Sequence, residues 1–86
     1  MEKYRIEIKR SAAKEIEHLP RRDIQAVMAK IHALADDPRP HGCQKLSGQV
    51  KYRVRCGDYR ILYTIEDGIL MVLVVMVGHR KDVYRG

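Results

Sequence analysis

The sequence predicts an α+β fold: an N-terminal strand and an α-helical hairpin packed on one face of a mostly antiparallel, twisted β-sheet. Three observations carry this. Residues 50–56 and 59–65 alternate apolar with polar or basic side chains on either side of Gly57-Asp58, the pattern of a half-buried hairpin. Residues 11–35 repeat apolar side chains at helical spacing, interrupted once by Pro20. Residues 69–77 are an almost unbroken run of aliphatic and methionine side chains rich in β-branched valine. With 86 residues there is material for one core, so residues 1–86 are expected to form a single domain.

The elements follow in order. Tyr4 to Lys9 alternates and reads as a first strand. Ser11 is a plausible N-cap for a helix ending near Leu19, with Ala12, Ile16 and Leu19 on one face. Pro20 stops that helix and opens the next, whose first turn holds Asp23 at the positive end of the helix dipole. The second helix lines up Ile24, Val27, Met28, Ile31, Leu34 and Ala35, and Asp36-Asp37-Pro38 ends it. Neither helix is long enough to stand alone, so both need a sheet beneath them. Residues 38–48 read as a polar, proline-containing loop.

Register arithmetic sorts the faces of the meander. A two-residue loop at Gly57-Asp58 sets Cys56 opposite Tyr59 and Arg55 opposite Arg60, with Arg53 diagonal to them. A second two-residue loop at Asp67-Gly68 would set Ile65 opposite Leu70, Tyr63 opposite Val72, Ile61 opposite Val74 and Tyr59 opposite Met76. The helices should then cover a face made of these residues with Tyr52, Val54 and Cys56. The other face divides into a basic end (Lys51, Arg53, Arg55, Arg60) and an apolar end (Leu62, Met71, Leu73, Val75, Val77). The 69–77 run is expected to be central and buried on both faces; a buried helix is the competing reading.

The charges point toward function. The formal net charge is +6, which favours nucleic acid, an acidic protein or a membrane surface as partner. No basic amphipathic helix with aromatic anchors is present, so a membrane partner is not expected. The charged N-terminus lacks the apolar stretch of a signal peptide, and a cytoplasmic location is the default expectation. Like charges placed opposite each other across a ladder cost up to about 1 kcal/mol per pair. Arg53, Arg55 and Arg60 clustered despite that cost point to a polyanion, and guanidiniums bind phosphodiesters through charge-assisted, often bidentate hydrogen bonds. Arg80 and Tyr84 leave the last strand near the same end. A tyrosine among cations has its ionised form favoured and can take part in proton transfer.

His18, His32, His41 and His79 are scattered and no carboxylate cluster is built to hold Mg²⁺, so no metal or other cofactor is expected. Metal-free phosphodiester chemistry leaves the RNA's own 2′-hydroxyl as the natural nucleophile. Lys51, Lys81 and Arg85 read as peripheral phosphate contacts. Cys43 and Cys56 lack metal-ligand spacing and read as reduced thiols, a disulfide remaining possible.

Four segments, Lys45-Leu46-Ser47-Gly48, Tyr52-Arg53-Val54-Arg55, Gly57-Asp58-Tyr59-Arg60-Ile61-Leu62-Tyr63 and Val77-Gly78-His79-Arg80-Lys81-Asp82-Val83-Tyr84, occur in the order and spacing of a known family. Through them the chain resembles the RelE/ParE superfamily of bacterial toxins along nearly its whole length, and looks most like the RelE branch. That resemblance implies the RelE-like microbial ribonuclease fold and a toxin of a toxin–antitoxin pair. It implies a metal-independent mRNA endonuclease that inhibits translation by cutting in the ribosomal A site, through 2′-hydroxyl attack leaving a 2′,3′-cyclic phosphate. By position Arg60 matches the arginine that stabilises the transition state, Arg80 the arginine on the leaving-group side, and Tyr84 the tyrosine that stacks on or orients the substrate.

Arg53 and Arg55 stand where a well-studied RelE-type enzyme has two lysines, one of them proposed as general base. Arginine, with a pKa above about 12, does not release its proton. A conventional base would then be Tyr84, His79 or Lys51, or the arginines act by electrostatics alone. The expected catalytic set is Arg60, Arg80, Tyr84 and Arg55, with Lys51, Arg53, Lys81 and Arg85 binding RNA. The implied partners are the ribosome, mRNA and a RelB-like antitoxin, with Leu62, Leu73 and Val75 as antitoxin contacts; no small-molecule substrate is implied. The alternative within the superfamily is a ParE-like, non-catalytic inhibitor of DNA gyrase.

Overall fold

The computed structural model describes residues 3–46 and 51–79. In chain order it contains β1 (Arg5–Ile8), α1 (Arg10–Glu17), α2 (Arg21–Ala33), β2 (Gln44–Lys45), β3 (Lys51–Cys56), β4 (Tyr59–Glu66) and β5 (Met71–His79). The strands form one sheet in the order β1-β5-β4-β3-β2. β1 runs parallel to β5, and the other neighbouring pairs are antiparallel. The two helices cover one face of this sheet, which is the expected α+β arrangement.

α1 starts earlier than Ser11 suggests. Its N-cap is Lys9, whose carbonyl accepts from Ala13 N–H at 2.9 Å while its own N–H donates to Val74 O at 2.8 Å. Pairing with β5 thus carries the chain straight from strand into helix, so tertiary structure rather than a capping hydroxyl sets the boundary. Ala12 and Ile16, four residues apart, form its buried face. Pro20 caps α2 as expected: its carbonyl takes the N–H groups of Asp23 and Ile24 at 2.8 and 3.0 Å. Val27, Ile31 and Leu34 are fully buried along α2.

The β3–β4 hairpin has the anticipated register, with Arg55 opposite Arg60 and Cys56 opposite Tyr59. Gly57 sits at φ +59° in the first central position of the loop, where a II′ turn calls for glycine.

The β4–β5 connection differs from the sequence reading. Residues 67–69 form a 3₁₀ turn and Leu70 takes a left-handed conformation (φ 50°). Glu66 therefore pairs with Met71 and Ile65 with Val72, two residues out from the anticipated register. Because the shift is even, the faces are preserved at that end. Farther along, Leu62 pairs with Met76 but Tyr63 with Val74, which leaves Val75 as the extra residue of a bulge.

Past the bulge the faces exchange. Val77, expected on the open face, is in the core at 1% exposure, and Met76 takes its place opposite Leu62. Beyond the end of β1, Glu15 of α1 accepts the backbone N–H of Val77 at 3.0 Å. β5 is also less central than expected. It is second from the edge, while β4 lies in the middle with Arg60 to Tyr63 all buried. Met71, Leu73, Val75 and Met76 of β5 are only half-buried, because the helices cover the opposite face.

The core lies between helices and sheet: Ala12, Ile16, Val27, Ile31 and Leu34 meet Val54, Ile61, Tyr63, Val72, Val74 and Val77. Full burial of one such aliphatic side chain is worth about 1.5–3 kcal/mol.

Candidate nucleic-acid interface

β2 is two residues long and pairs only with Arg53 and Tyr52, so no described strand pairs with that edge of β3 from Val54 onward. A cleft of about 350 Å³ occupies that edge, lined by Lys30, His41, Gly42, Gln44, Arg53, Val54, Arg55 and Arg60. Four of these residues are cations and none is a carboxylate. Arg53 and Arg55 project from β3, and Arg60 comes from β4 directly across from Arg55. The partner of Arg60 on β5 is Gly78, which puts no side chain beside it.

Arg60 is only 6% exposed. A guanidinium does not shed its charge on burial, so it has to be held by hydrogen-bonding partners. Among the described residues no buried side-chain nitrogen or oxygen lacks such a partner. Arg53 donates through Nη2 to Gln44 Oε1, which ties the cleft wall to β2. Cations gathered at this density repel one another, and an anion seated among them relieves that repulsion.

The loop before β2 forms the outer wall and is held at several points. Cys43 N–H donates to Pro40 O at 3.0 Å and closes a turn over residues 40–43. Gly42 takes φ +92° at the third position, the geometry that makes glycine the natural residue there, and His41 is at the second. Upstream, the buried Tyr63 hydroxyl donates to Pro38 O at 2.7 Å, and burial pushes the Tyr63 phenol well above its ordinary pKa. Arg39 donates to Asp67 at 2.9 and 3.3 Å and to the Tyr52 hydroxyl at 3.2 Å. Its guanidinium lies 5.3 Å from the Tyr52 ring centroid, and Tyr52 in turn stacks on Tyr63. Tyr4 adds a 2.6 Å hydrogen bond to Asp67. Arg39 first and Tyr4 second hold the Asp67 carboxyl below the usual carboxylate range.

Arg53, Arg55 and Arg60 thus converge as their spacing suggested. Lys51 shares their face but does not line the cleft; four residues along an extended strand separate it from Arg55 by roughly 13 Å. His79 does not line the cleft either. It pairs with Tyr59, contacts that ring edge-on at 6.1 Å, and borders a hollow with Asp23 and Cys56. Tyr59 donates to Asp23 at 2.8 Å, which raises the Tyr59 pKa. Arg80, Lys81, Tyr84 and Arg85 lie outside the described residues.

Lys30, His41 and Gln44 were not singled out by the sequence. Lys30 stands one residue before the core Ile31, and only the packing of α2 against β3 reveals that it overlooks the cleft. His41 did carry a signal, lying between Pro40 and Gly42 in a turn.

On the open face, Leu62, Leu73 and Val75 lie with Met71 and Met76 on β4 and β5. Leu62 is nearly buried, and the others are half-buried. Among the described residues no three His, Cys, Asp or Glu side chains are grouped to hold a metal ion, and no helix is long and apolar enough to cross a membrane. Cys43 and Cys56 are free thiols, and burial raises the Cys56 pKa.

The helical pair on one face of this sheet agrees with what comparison with known proteins finds. The family model described as the ParE toxin of the type II toxin–antitoxin system, parDE, matches residues 6–84. The chain belongs to this toxin family, in the RelE branch of the RelE/ParE superfamily.

More particularly, it is similar to Toxin RelG of Mycobacterium tuberculosis, 31% identical over 86 residues that cover 95% of this chain and 97% of RelG. Its fold matches the toxin–antitoxin complex RelBE2 from M. tuberculosis with a TM-score of 0.81 and 27% identity, covering 91% of this chain and 99% of that one. The archaeal RelE-RelB complex from Pyrococcus horikoshii also gives a TM-score of 0.81, at 25% identity and with 90% and 94% of the two chains covered.

Proposed function

We propose that this toxin is a metal-independent endoribonuclease that cuts mRNA in the ribosomal A site. The observation that carries the reading is the cleft itself. Arg60 is buried and positioned opposite Arg55, Arg53 stands beside them, and no carboxylate among the described residues lines the walls. Such a site repels divalent cations and attracts a phosphodiester. When the 2′-oxygen attacks the adjacent phosphorus, negative charge builds on the non-bridging oxygens. Guanidiniums fixed in advance stabilise that charge without reorganising. In this reading Arg60 and Arg55 face the scissile phosphate, and Arg53 and Lys51 hold neighbouring phosphates. Arg80 acts at the leaving group, Tyr84 orients the base, and Lys81 and Arg85 add contacts to the RNA backbone.

A RelB-like antitoxin is the partner this reading carries, since the similar toxins from M. tuberculosis and P. horikoshii are seen in complexes with RelB-type proteins. The strip of Leu62, Leu73 and Val75, flanked by the basic cleft, suits an antitoxin that is apolar on one side and acidic on the other.

Primer extension on a defined mRNA in a reconstituted translation mix tests the reading, comparing the wild type with Arg60→Ala, Arg80→Ala and Tyr84→Phe. Cuts that require ribosomes and weaken in all three variants are expected. Because the matching family model is described by ParE, the second reading is non-catalytic inhibition of DNA gyrase. Intact mRNA with folded wild-type protein, together with loss of supercoiling activity, would select it.

A further inference from the structure

The attack by a 2′-hydroxyl needs an acceptor for its proton, and the arginines of the cleft are not acceptors at any physiological pH. Lys30 stands among three arginines and reads as a further phosphate contact. Gln44, Gly42 and Val54 offer no base. Among the described residues that line the cleft His41 remains, and a neutral imidazole carries one ring nitrogen able to accept a proton. His79 and Lys51 are placed away from this cleft.

The mounting of His41 suits that task. It stands at the second position of the closed turn over residues 40–43, beside the positive-φ Gly42. The segment leading into the turn is fastened by the Tyr63 hydroxyl on Pro38 and by Arg39 on Asp67 and Tyr52. These bonds fix the backbone from which the exposed His41 side chain projects. The groups sharing the cleft with His41 are Lys30 from α2, Arg53 and Arg55 from β3 and Arg60 from β4, with Arg39 and Cys43 on its own loop. The imidazole thus belongs to the same cleft as the cations that would hold the phosphate.

We infer that His41 is the general base of the cleavage reaction, an assignment that rests on the nuclease reading above. The 2′-hydroxyl gives its proton to the neutral imidazole as the bond from the 2′-oxygen to phosphorus forms. The bond from phosphorus to the 5′-oxygen then breaks, and that oxygen takes a proton from water. The imidazolium returns its proton to the hydroxide so formed. The products are a 2′,3′-cyclic phosphate and a free 5′-hydroxyl, with no net uptake of water.

Single-turnover cleavage of ribosome-bound mRNA, followed from pH 5.5 to 8.5, tests the assignment. In the wild type the rate should rise with pH as the accepting ring nitrogen becomes available. His41→Gln should slow cleavage by about 10²-fold or more and flatten that rise, with affinity for the programmed ribosome within about threefold of wild type. Added imidazole should restore part of the rate to His41→Gly. Two results overturn the assignment while leaving the nuclease reading in place: wild-type rates in His41→Gln, or a retained rise with pH in that variant. A wild-type protein that cuts no mRNA removes the nuclease reading and the role of His41 together.

Discussion

The two faces of this sheet are built from alternate residues of the same strands, yet they do opposite things. The helix-covered face excludes water: Val54, Ile61, Tyr63, Val72, Val74 and Val77 are almost completely buried. The open face carries Arg53, Arg55 and Arg60 at one end and Leu62, Leu73 and Val75 at the other. Adjacent residues of β4 show the contrast most directly. Ile61 is held by packing that gains from burial, whereas Arg60 is held against the repulsion of Arg55 across the ladder. The covered face supplies the stability that lets the open face keep an arrangement unfavourable by itself.

Substitutions on β4 and its neighbours separate the two roles. Ile61→Ala should have the largest effect on stability, about 2–5 kcal/mol in urea unfolding, and should alter cleavage only through the folded fraction. Arg60→Ala should slow ribosome-dependent cleavage by about 10²–10³-fold; a rate within twofold of wild type would put the contrast in doubt. Tyr63→Phe leaves the buried Pro38 carbonyl without its donor and should cost about 1–3 kcal/mol, measured by the same unfolding titration. Leu73→Glu should change stability by less than about 1 kcal/mol while weakening binding of the cognate antitoxin tenfold or more in calorimetry. Unaltered antitoxin affinity in that folded variant would remove Leu73 from the interface.

The smallest effect concerns pH. Asp67 has its pKa lowered in the folded protein by Arg39 and then Tyr4. Its contribution to stability is therefore present above the unfolded carboxylate value, near about 3.9, and is lost as pH falls through the lower folded value. Asp67→Asn abolishes that dependence, so the difference in Tm between wild type and variant should be steady at neutral pH and should narrow below about pH 4. A difference that stays constant down to pH 2 would show that Asp67 acts through shape rather than charge.

Much of this organisation was legible in the chain. The helices announce themselves by period, and Gly57-Asp58 specifies its hairpin because glycine stands where a positive φ is required. Asp67-Gly68 looked like the same kind of signal but was not. The Asp67 side chain is held by Arg39 and Tyr4, partners distant in sequence, and the connection opens into a 3₁₀ turn. The bulge at Val75 has no local signature in a run of nearly equivalent aliphatic residues, so the exchange of Met76 and Val77 was hidden. At the cleft, the arginines could be read because strand alternation is a local rule. Lys30 and His41 could not be joined to them, because a helix and a loop reach the same edge only through the tertiary fold.

The parallel pairing of β1 with β5 sets an order of events during synthesis. Arg5 has Met71 as its partner and Ile8 has Val74, so the first strand made waits for the last of the five before it can dock. β4 also lacks one of its two neighbours until then. The helices and the arginines of β3 and β4 are thus made before the strand that completes their sheet. Closure over so long a stretch of chain is slow compared with local hairpin formation. For a toxin, this delay is an interval in which the polypeptide exists but the cleft does not.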